Sequence, residues 1–341
     1  ALLLPIKDLE ELLALGFKKW GRTGVQTNGT LITDAHIELF DKYRTGVGIS
    51  MDGPGELNDS RWASSLATTR AATLKSETAL YKLLELARAG KSHLRPSLIV
   101  TLQKTNASED RWPRMKEWMT KLDEMGLKHI NFHLMEMDSD AHELYLPHER
   151  LKTVMLDLWE FSTTLKNIRF LNFNEITDLL RGRDEDAMCV WKSCDPWNTA
   201  AVQGIENDGS PSKCGRANKD GIDWIPSEGT SGAVTVHSIG GFVGTTSHER
   251  QLSLYVTPKE HGGCKGCRFW IMCKGHCPGT GNVSGGKLLG DWRLRSSHCQ
   301  TYIDMFEEGE KRILASGELP LSLSPNLKKL EQIMYKGWIA G

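Results

Sequence analysis

Along the first 180 residues the apolar positions switch between two periods, and the switches outline the elements. Short runs in which every second residue is apolar predict strands at 24–28, 46–50, 97–102 and 129–135. Between them, helical spacing takes over. Ile6, Leu9, Leu12 and Leu13 form one apolar face, and Asp34 is placed to cap a helix that runs to Tyr43. Residues 80–87 carry an i, i+3, i+4 face that stops before Gly90, and Met115, Trp118, Met119 and Leu122 do the same before Gly126. Pro147 opens a further helix to residue 165, and 168–173 reads as a further strand. Strands separated by such helices imply βαβ units and a parallel sheet, so the predicted fold class is α/β.

Past residue 188 the texture changes to glycine, proline, cysteine and tryptophan, with short β segments predicted at 233–237 and 252–256. A loop-rich region of this kind rests on ligated metal more than on a large core. The boundary is expected between 182 and 188, which gives domains of 1–185 and 186–316 and a tail of 317–341. A closing helix is predicted over 306–316 and a short one around 327–335.

Composition narrows the partners. A net charge of −1 over 341 residues supplies no bulk attraction to nucleic acid or to an anionic membrane. No apolar run approaches the length of a membrane span, so neither partner is expected. Thiol-rich metal ligation argues for a reducing compartment, hence a cytoplasmic protein. The sequence starts at Ala1 and enters a helix almost at once, which reads as a chain that has lost its beginning.

The candidate chemistry lies in the cysteines. The run Gly263-Cys-Lys-Gly-Cys-Arg-Phe-Trp-Ile-Met-Cys-Lys-Gly-His-Cys277 holds Cys264, Cys267, Cys273 and Cys277; Cys189, Cys194, Cys214 and Cys299 lie outside it. Two residues separate Cys264 from Cys267, so both thiolates reach one centre from a single turn. Soft thiolates of this density suit zinc or an iron–sulfur cluster. A structural zinc site wants two Cys-x2-Cys pairs where one is present, and disulfide frameworks belong to small secreted chains without a core. Iron–sulfur is the best account of the three.

The order Cys194, Gly209-x4-Cys214, the four-cysteine run and Cys299 resembles the SPASM domain, the carboxy-terminal extension of many radical S-adenosylmethionine enzymes. That resemblance implies two auxiliary [4Fe–4S] clusters. Cys264, Cys267, Cys273 and Cys299 would hold one, and Cys194, Cys214 and Cys277 the second. Cys189 is either the fourth ligand of the second cluster or a buried thiol beside an open site. The first half is similar to the barrel of the same enzymes through Gln26-Thr-Asn-Gly-Thr-Leu31 and Gly48-Ile-Ser-Met-Asp-Gly-Pro54. Ser50 and Asp52 match the positions that reach the ribose hydroxyls of S-adenosylmethionine, with Gln26 and Asn28 on a common rim. Arg61 or Arg70 is the candidate partner of the methionine carboxylate.

The implied architecture is a partial (β/α)6 barrel whose first strands are missing, followed by the SPASM domain. No Cys-x3-Cys-x2-Cys occurs in the first 180 residues, so the third [4Fe–4S] cluster, which cleaves the cosubstrate, is expected to belong to a segment this fragment lacks. The fragment is then expected to hold two clusters, to leave S-adenosylmethionine uncleaved, and to aggregate through an unpaired sheet edge. The resemblance implies a maturase that abstracts hydrogen from a side chain of a ribosomally made peptide or protein, with crosslinking the preferred outcome and ferredoxin or flavodoxin as reductant. The sulfatase-maturing branch carries an aspartate directly after the cysteine of the glycine element; here Gly215 and Arg216 follow Cys214, which argues against that chemistry. The alternative is a non-catalytic iron–sulfur protein that transfers electrons or scaffolds a peptide.

Other signals are bland. The glycine-rich stretch 279–286 lacks a Lys-Ser/Thr and reads as a turn. His133 and Glu136 read as core or surface residues ahead of a place facing the barrel cavity, and Trp191, Trp197, Trp224, Trp270 and Trp292 as packing around the metal site ahead of a stacking surface for substrate aromatics.

Overall fold

The computed structural model describes residues 2–90, 93–136, 142–185, 187, 204–205, 209, 211–212, 234–236, 242–244, 246–277, 280, 283–284, 287–288 and 295–340. They cluster into two compact units, one of Ala1–Met135 with Glu143–Asn172 and the other of Glu136–His142 with Phe173–Gly341.

The first unit is built on five parallel strands in sequential order, β1 (Thr23–Thr27), β2 (Thr45–Ser50), β3 (Arg95–Leu102), β4 (His129–Leu134) and β5 (Arg169–Phe170). Helix α1 (Ile6–Trp20) precedes the sheet, and α2 (Asp34–Lys42), α3 (Leu66–Arg88), α4 (Lys104–Ala107), α5 (Trp112–Glu124) and α6 (His148–Ser162) join the strands. Alternation gives the sheet two unlike faces. Val25 pairs with Val47, Ile49 with Leu98, Leu98 with Ile130 and Val100 with Phe132, and all of these are buried. The other face carries Gln26, Gly48 and Ser97 in one row, Ser50, Ile99 and Asn131 in the next, and Thr101 beside His133. Of these only Gly48 is buried. Parallel sheets bury both faces as a rule, so a half-open polar face marks where the sheet was kept for something other than packing.

Two elements of this unit depart from the sequence reading. The strand expected over 168–173 stops after Phe170, and the chain turns at once into α7 (Leu171–Leu180), because Asn172 bonds both backbone groups of Phe132 at 3.2 and 3.1 Å and takes its residue out of the ladder. The cap of α2 is Thr33, paired with His36 Nδ1 at 2.7 Å, rather than Asp34.

Asp123 ties α5 to β5. Its buried carboxylate accepts the backbone N–H groups of Lys166, Asn167 and Ile168 at 3.0, 2.7 and 2.8 Å. Burial works to raise its pKa, but the N–H groups of Ile168, Lys166 and Asn167 outweigh that and hold it below the ordinary carboxylate range. A carboxyl depressed in the fold contributes stability that is present above its unfolded pKa of about 3.9 and is lost as pH falls through the lower folded value. Asp123→Asn is expected to cost about 2 kcal/mol at neutral pH and to flatten the acid limb of a urea-midpoint profile below about pH 4.

At the amino ends of the strands lies a cavity of about 1230 Å³, lined by Leu9, Leu12, Leu13 and Trp20 of α1 together with Arg22, Arg44, Arg95 and His129. It borders β1, which among the described residues pairs with β2 alone.

The second unit contains α8 (Thr246–Val256), α9 (Trp270–Cys273), α10 (Cys299–Ala315) and α11 (Leu327–Ala340). Residues 252–256, expected as a strand, end α8 instead. Leu254 is fully buried against Cys264 and Trp270, and its carbonyl accepts the Cys264 N–H at 2.7 Å, so the thiol loop seats on a helix. Phe269 stacks on Phe306 with ring centroids 5.2 Å apart, and Tyr255 lies between Trp270 and Tyr335. Among the described residues no helix is long and apolar enough to cross a membrane.

Candidate functional site

Two places carry chemistry, one in each unit. In the first unit it is the polar face at the carboxyl ends of the strands. Gln26 lies across the sheet and donates from Nε2 to Ser50 Oγ at 2.7 Å. Gly48 makes this possible, since a Cβ there would stand 2.3 Å from Gln26 Oε1. Gly48→Ala is therefore expected to lift Gln26 off Ser50, with a crystal structure of the variant as the measurement. Asn28 is exposed, and its Oδ1 accepts from the backbone and hydroxyl of Thr30 at 3.2 and 2.9 Å.

Asp52 sits just beyond β2 and is 3% exposed. Its Oδ1 accepts from Arg61 Nη2 and from the Thr101 N–H, both at 2.8 Å, and its Oδ2 from Gln103 Nε2 at 3.3 Å. Asn58 Oδ1 takes its N–H and Asn106 Nδ2 its carbonyl, each at 2.8 Å. Within the fold, then, both carboxylate oxygens are engaged, and the charge that Arg61 was expected to offer a ligand is directed at Asp52. Arg70 stands apart, exposed and paired with Asp59 at 2.9 Å. Sequence reading missed Gln103, which also bonds Ser60. Its signal was position, directly after the carboxyl end of β3 as Met51 and Asp52 follow β2. His133, at 3.1 Å from Asn131, belongs to the same polar face.

In the second unit, Cys264, Cys267, Cys273 and Cys299 line one small cavity walled by Phe269, Trp270, Ile303 and Phe306, with Gly275 and His276 at its edge. Cys264 and Cys267 are held in one turn by the Cys267 N–H to the Cys264 carbonyl at 2.9 Å, and Cys273 ends α9. Cys299 opens α10 from a distant part of the sequence. It is fixed by its N–H to Ser296, whose own N–H bonds the Gly275 carbonyl at 3.0 Å. Cys277 is buried but does not line this cavity. Cys189, Cys194 and Cys214, with Gly215, Arg216, Trp191, Trp197, Trp224 and Trp292, lie outside the described residues.

Burial pushes the Cys264 thiol up to about 12, and it pushes Cys273 and Cys299 upward as well. Thiolates in such a place need a cation to compensate desolvation. Among the described residues, no three His, Cys, Asp or Glu side chains converge so as to hold a single metal ion. A tetrahedral zinc would draw its sulfurs to about 2.3 Å from one point. An iron–sulfur cluster instead takes one thiolate on each iron.

No family model matches the chain, and no curated protein does. Solved structures do. Native anSMEcpe with bound AdoMet aligns at a TM-score of 0.60 and 18% identity, covering 92% of this chain and 81% of that one. The same protein with AdoMet and a Kp18Cys peptide aligns at 0.60 and 18%, covering 92% and 82%, and with a Cp18Cys peptide at 0.60 and 19%, again covering 92% and 82%. The chain shares the fold of these structures. At these identities the likeness concerns the fold, and the chemistry has to be argued from the residues.

Proposed function

We propose that this chain is part of a radical S-adenosylmethionine enzyme of the SPASM type that modifies a side chain of a ribosomally made peptide or protein. The observation that carries the reading is the fold likeness over 92% of the chain to anSMEcpe with bound AdoMet. Two of the matching structures also hold a peptide, which supports a peptide partner. The thiol cavity adds independent support, since a donor set suited to an iron–sulfur cluster occurs in the same chain as this sheet.

In this reading the polar face binds S-adenosylmethionine. Ser50 and Gln26 meet its ribose hydroxyls, and Asp52 acts one layer beneath, holding Arg61 and Gln103 in place behind them. Cys264, Cys267, Cys273 and Cys299 hold one auxiliary [4Fe–4S] cluster; Cys194, Cys214 and Cys277, with Cys189 as a candidate fourth ligand, hold another. Such clusters supply one-electron redox chemistry when bound. The surrounding Phe269, Trp270 and Phe306 keep water from the first set of thiols. Domains of 1–185 and 186–316 divide these two tasks, and a ferredoxin or flavodoxin serves as reductant.

The chain carries no Cys-x3-Cys-x2-Cys, so we take cosubstrate cleavage to need a cluster that this polypeptide alone does not ligate. The test is anaerobic reconstitution followed by iron counting, S-adenosylmethionine titration and assay for 5′-deoxyadenosine under strong reductant. The expected result is iron uptake and cosubstrate binding without 5′-deoxyadenosine. Iron uptake with no cosubstrate binding would favour a non-catalytic electron-transfer or scaffold protein. Stoichiometric zinc in place of iron would overturn the iron–sulfur reading.

A further inference from the structure

Beneath the thiol cavity, α8 presents Arg250, an arginine only 4% exposed. Its Nη1 donates to the Lys274 carbonyl and its Nη2 to the Gly275 carbonyl, each at 3.1 Å. Those carbonyls belong to an unusual turn. Lys274, Gly275 and His276 follow one another with φ of 53°, 70° and 61°. A non-glycine residue in the left-handed region is strained and persists where its surroundings over-determine it. Here the surroundings are the guanidinium below and Ser296, whose N–H takes the Gly275 carbonyl at 3.0 Å. Gly275 itself has no room for a side chain, since a Cβ would meet Leu254 Cδ1 at 2.3 Å and Arg250 Nη2 at 3.3 Å.

The turn joins Cys273 to Cys277, so whatever holds it also places those sulfurs. Charge matters as much as shape. A guanidinium stays protonated even when buried, so Arg250 is positive at neutral pH. Buried Lys274 lies on the same turn, and Arg295 donates from Nη1 to the Gly263 carbonyl at 3.1 Å beside Cys264.

We infer that Arg250 is a positioning residue for the iron–sulfur centre of Cys264, Cys267, Cys273 and Cys299, clamping the turn 274–276 and holding beside it a buried positive charge that raises its reduction potential. This rests on the iron–sulfur reading proposed above. Reduction moves one electron from an external donor, oxidised in the exchange, onto a centre that its thiolates have made anionic. A fixed neighbouring cation stabilises the reduced state more than the oxidised one.

The experiment compares wild type, Arg250→Lys and Arg250→Gln, reconstituted anaerobically, by iron content and by electron paramagnetic resonance during a potentiometric titration. The signal of this centre is the one missing from a chain with Cys264→Ala and Cys267→Ala. Arg250→Gln, which loses one donor of the clamp and the charge, is expected to hold less iron than wild type and, in its loaded fraction, to show about a tenfold lower reduced-to-oxidised ratio at a fixed potential, a downward shift of about 59 mV for one electron. Arg250→Lys should remain near wild type. Arg295→Gln, on a more open side chain, should shift the same way by less, and it serves as the charge test if Arg250→Gln loses its iron. Equal potentials in iron-loaded wild type and neutral variants would overturn this inference alone, as would a lysine variant displaced as far as glutamine. Absence of iron from the wild-type chain would overturn the iron–sulfur reading beneath it.

Discussion

Replacing Cys264 and Cys267 together by alanine is expected to halve the iron taken up on anaerobic reconstitution, from about eight to about four per chain, two cubanes giving way to one. The two substitutions remove half the thiols around one cavity and leave Cys277 outside it. The fold should survive, because the cavity is walled by Phe269, Trp270 and Phe306 and alanine is at home in such surroundings. Iron and acid-labile sulfide per chain measure the outcome, with a far-ultraviolet circular dichroism spectrum as the check on folding. Unchanged iron would mean that the cavity is not a cluster site. Complete loss would mean that one cluster draws on all the thiols, against the division into two sets.

Asp52→Ala is expected to be the most damaging single change in the first unit. It leaves Arg61 and the Thr101 N–H without the oxygen they share and frees Gln103. Breaking a fully buried ion pair costs about 3–5 kcal/mol. Arg61 is 31% exposed in its side chain, so water recovers part of its solvation, and about 2–3 kcal/mol is the expected loss in urea unfolding. Asp52→Asn keeps an acceptor for Thr101 and should cost less. S-adenosylmethionine affinity should fall more than tenfold in both, since neither retains the charge that orients Arg61. Full affinity in Asp52→Asn would remove Asp52 from the proposed site.

The sheet was legible because each strand buries one face. Val47, Ile49, Leu98, Val100, Ile130 and Phe132 all point to the helices, so the two-residue period survives in the sequence. Helix α3 was only half legible for the opposite reason. The first part of its buried side is Thr69, Thr73 and Ser76, whose hydroxyls are satisfied by carbonyls four residues earlier at 2.8, 3.0 and 3.0 Å. Polar residues that bond their own helix can be buried without leaving an apolar stripe. Residues 252–256 misled for a related reason: their alternation belongs to the end of a helix fixed by its neighbours in space.

By itself the sequence determined the α/β pattern, the positions of β1 to β4 and the Cys264–Cys277 run, because each depends on residues close together in the chain. Ser50 and Gln26 were legible through their position at strand ends. The grouping of Cys299 with Cys264, Cys267 and Cys273 was implied by the resemblance rather than by any local pattern, while only the tertiary structure sank Asp52 beneath Arg61 and Gln103 and drew Arg250 under the 274–276 turn. Each of these is a contact between distant segments, in which desolvation is compensated by a partner that no local period announces.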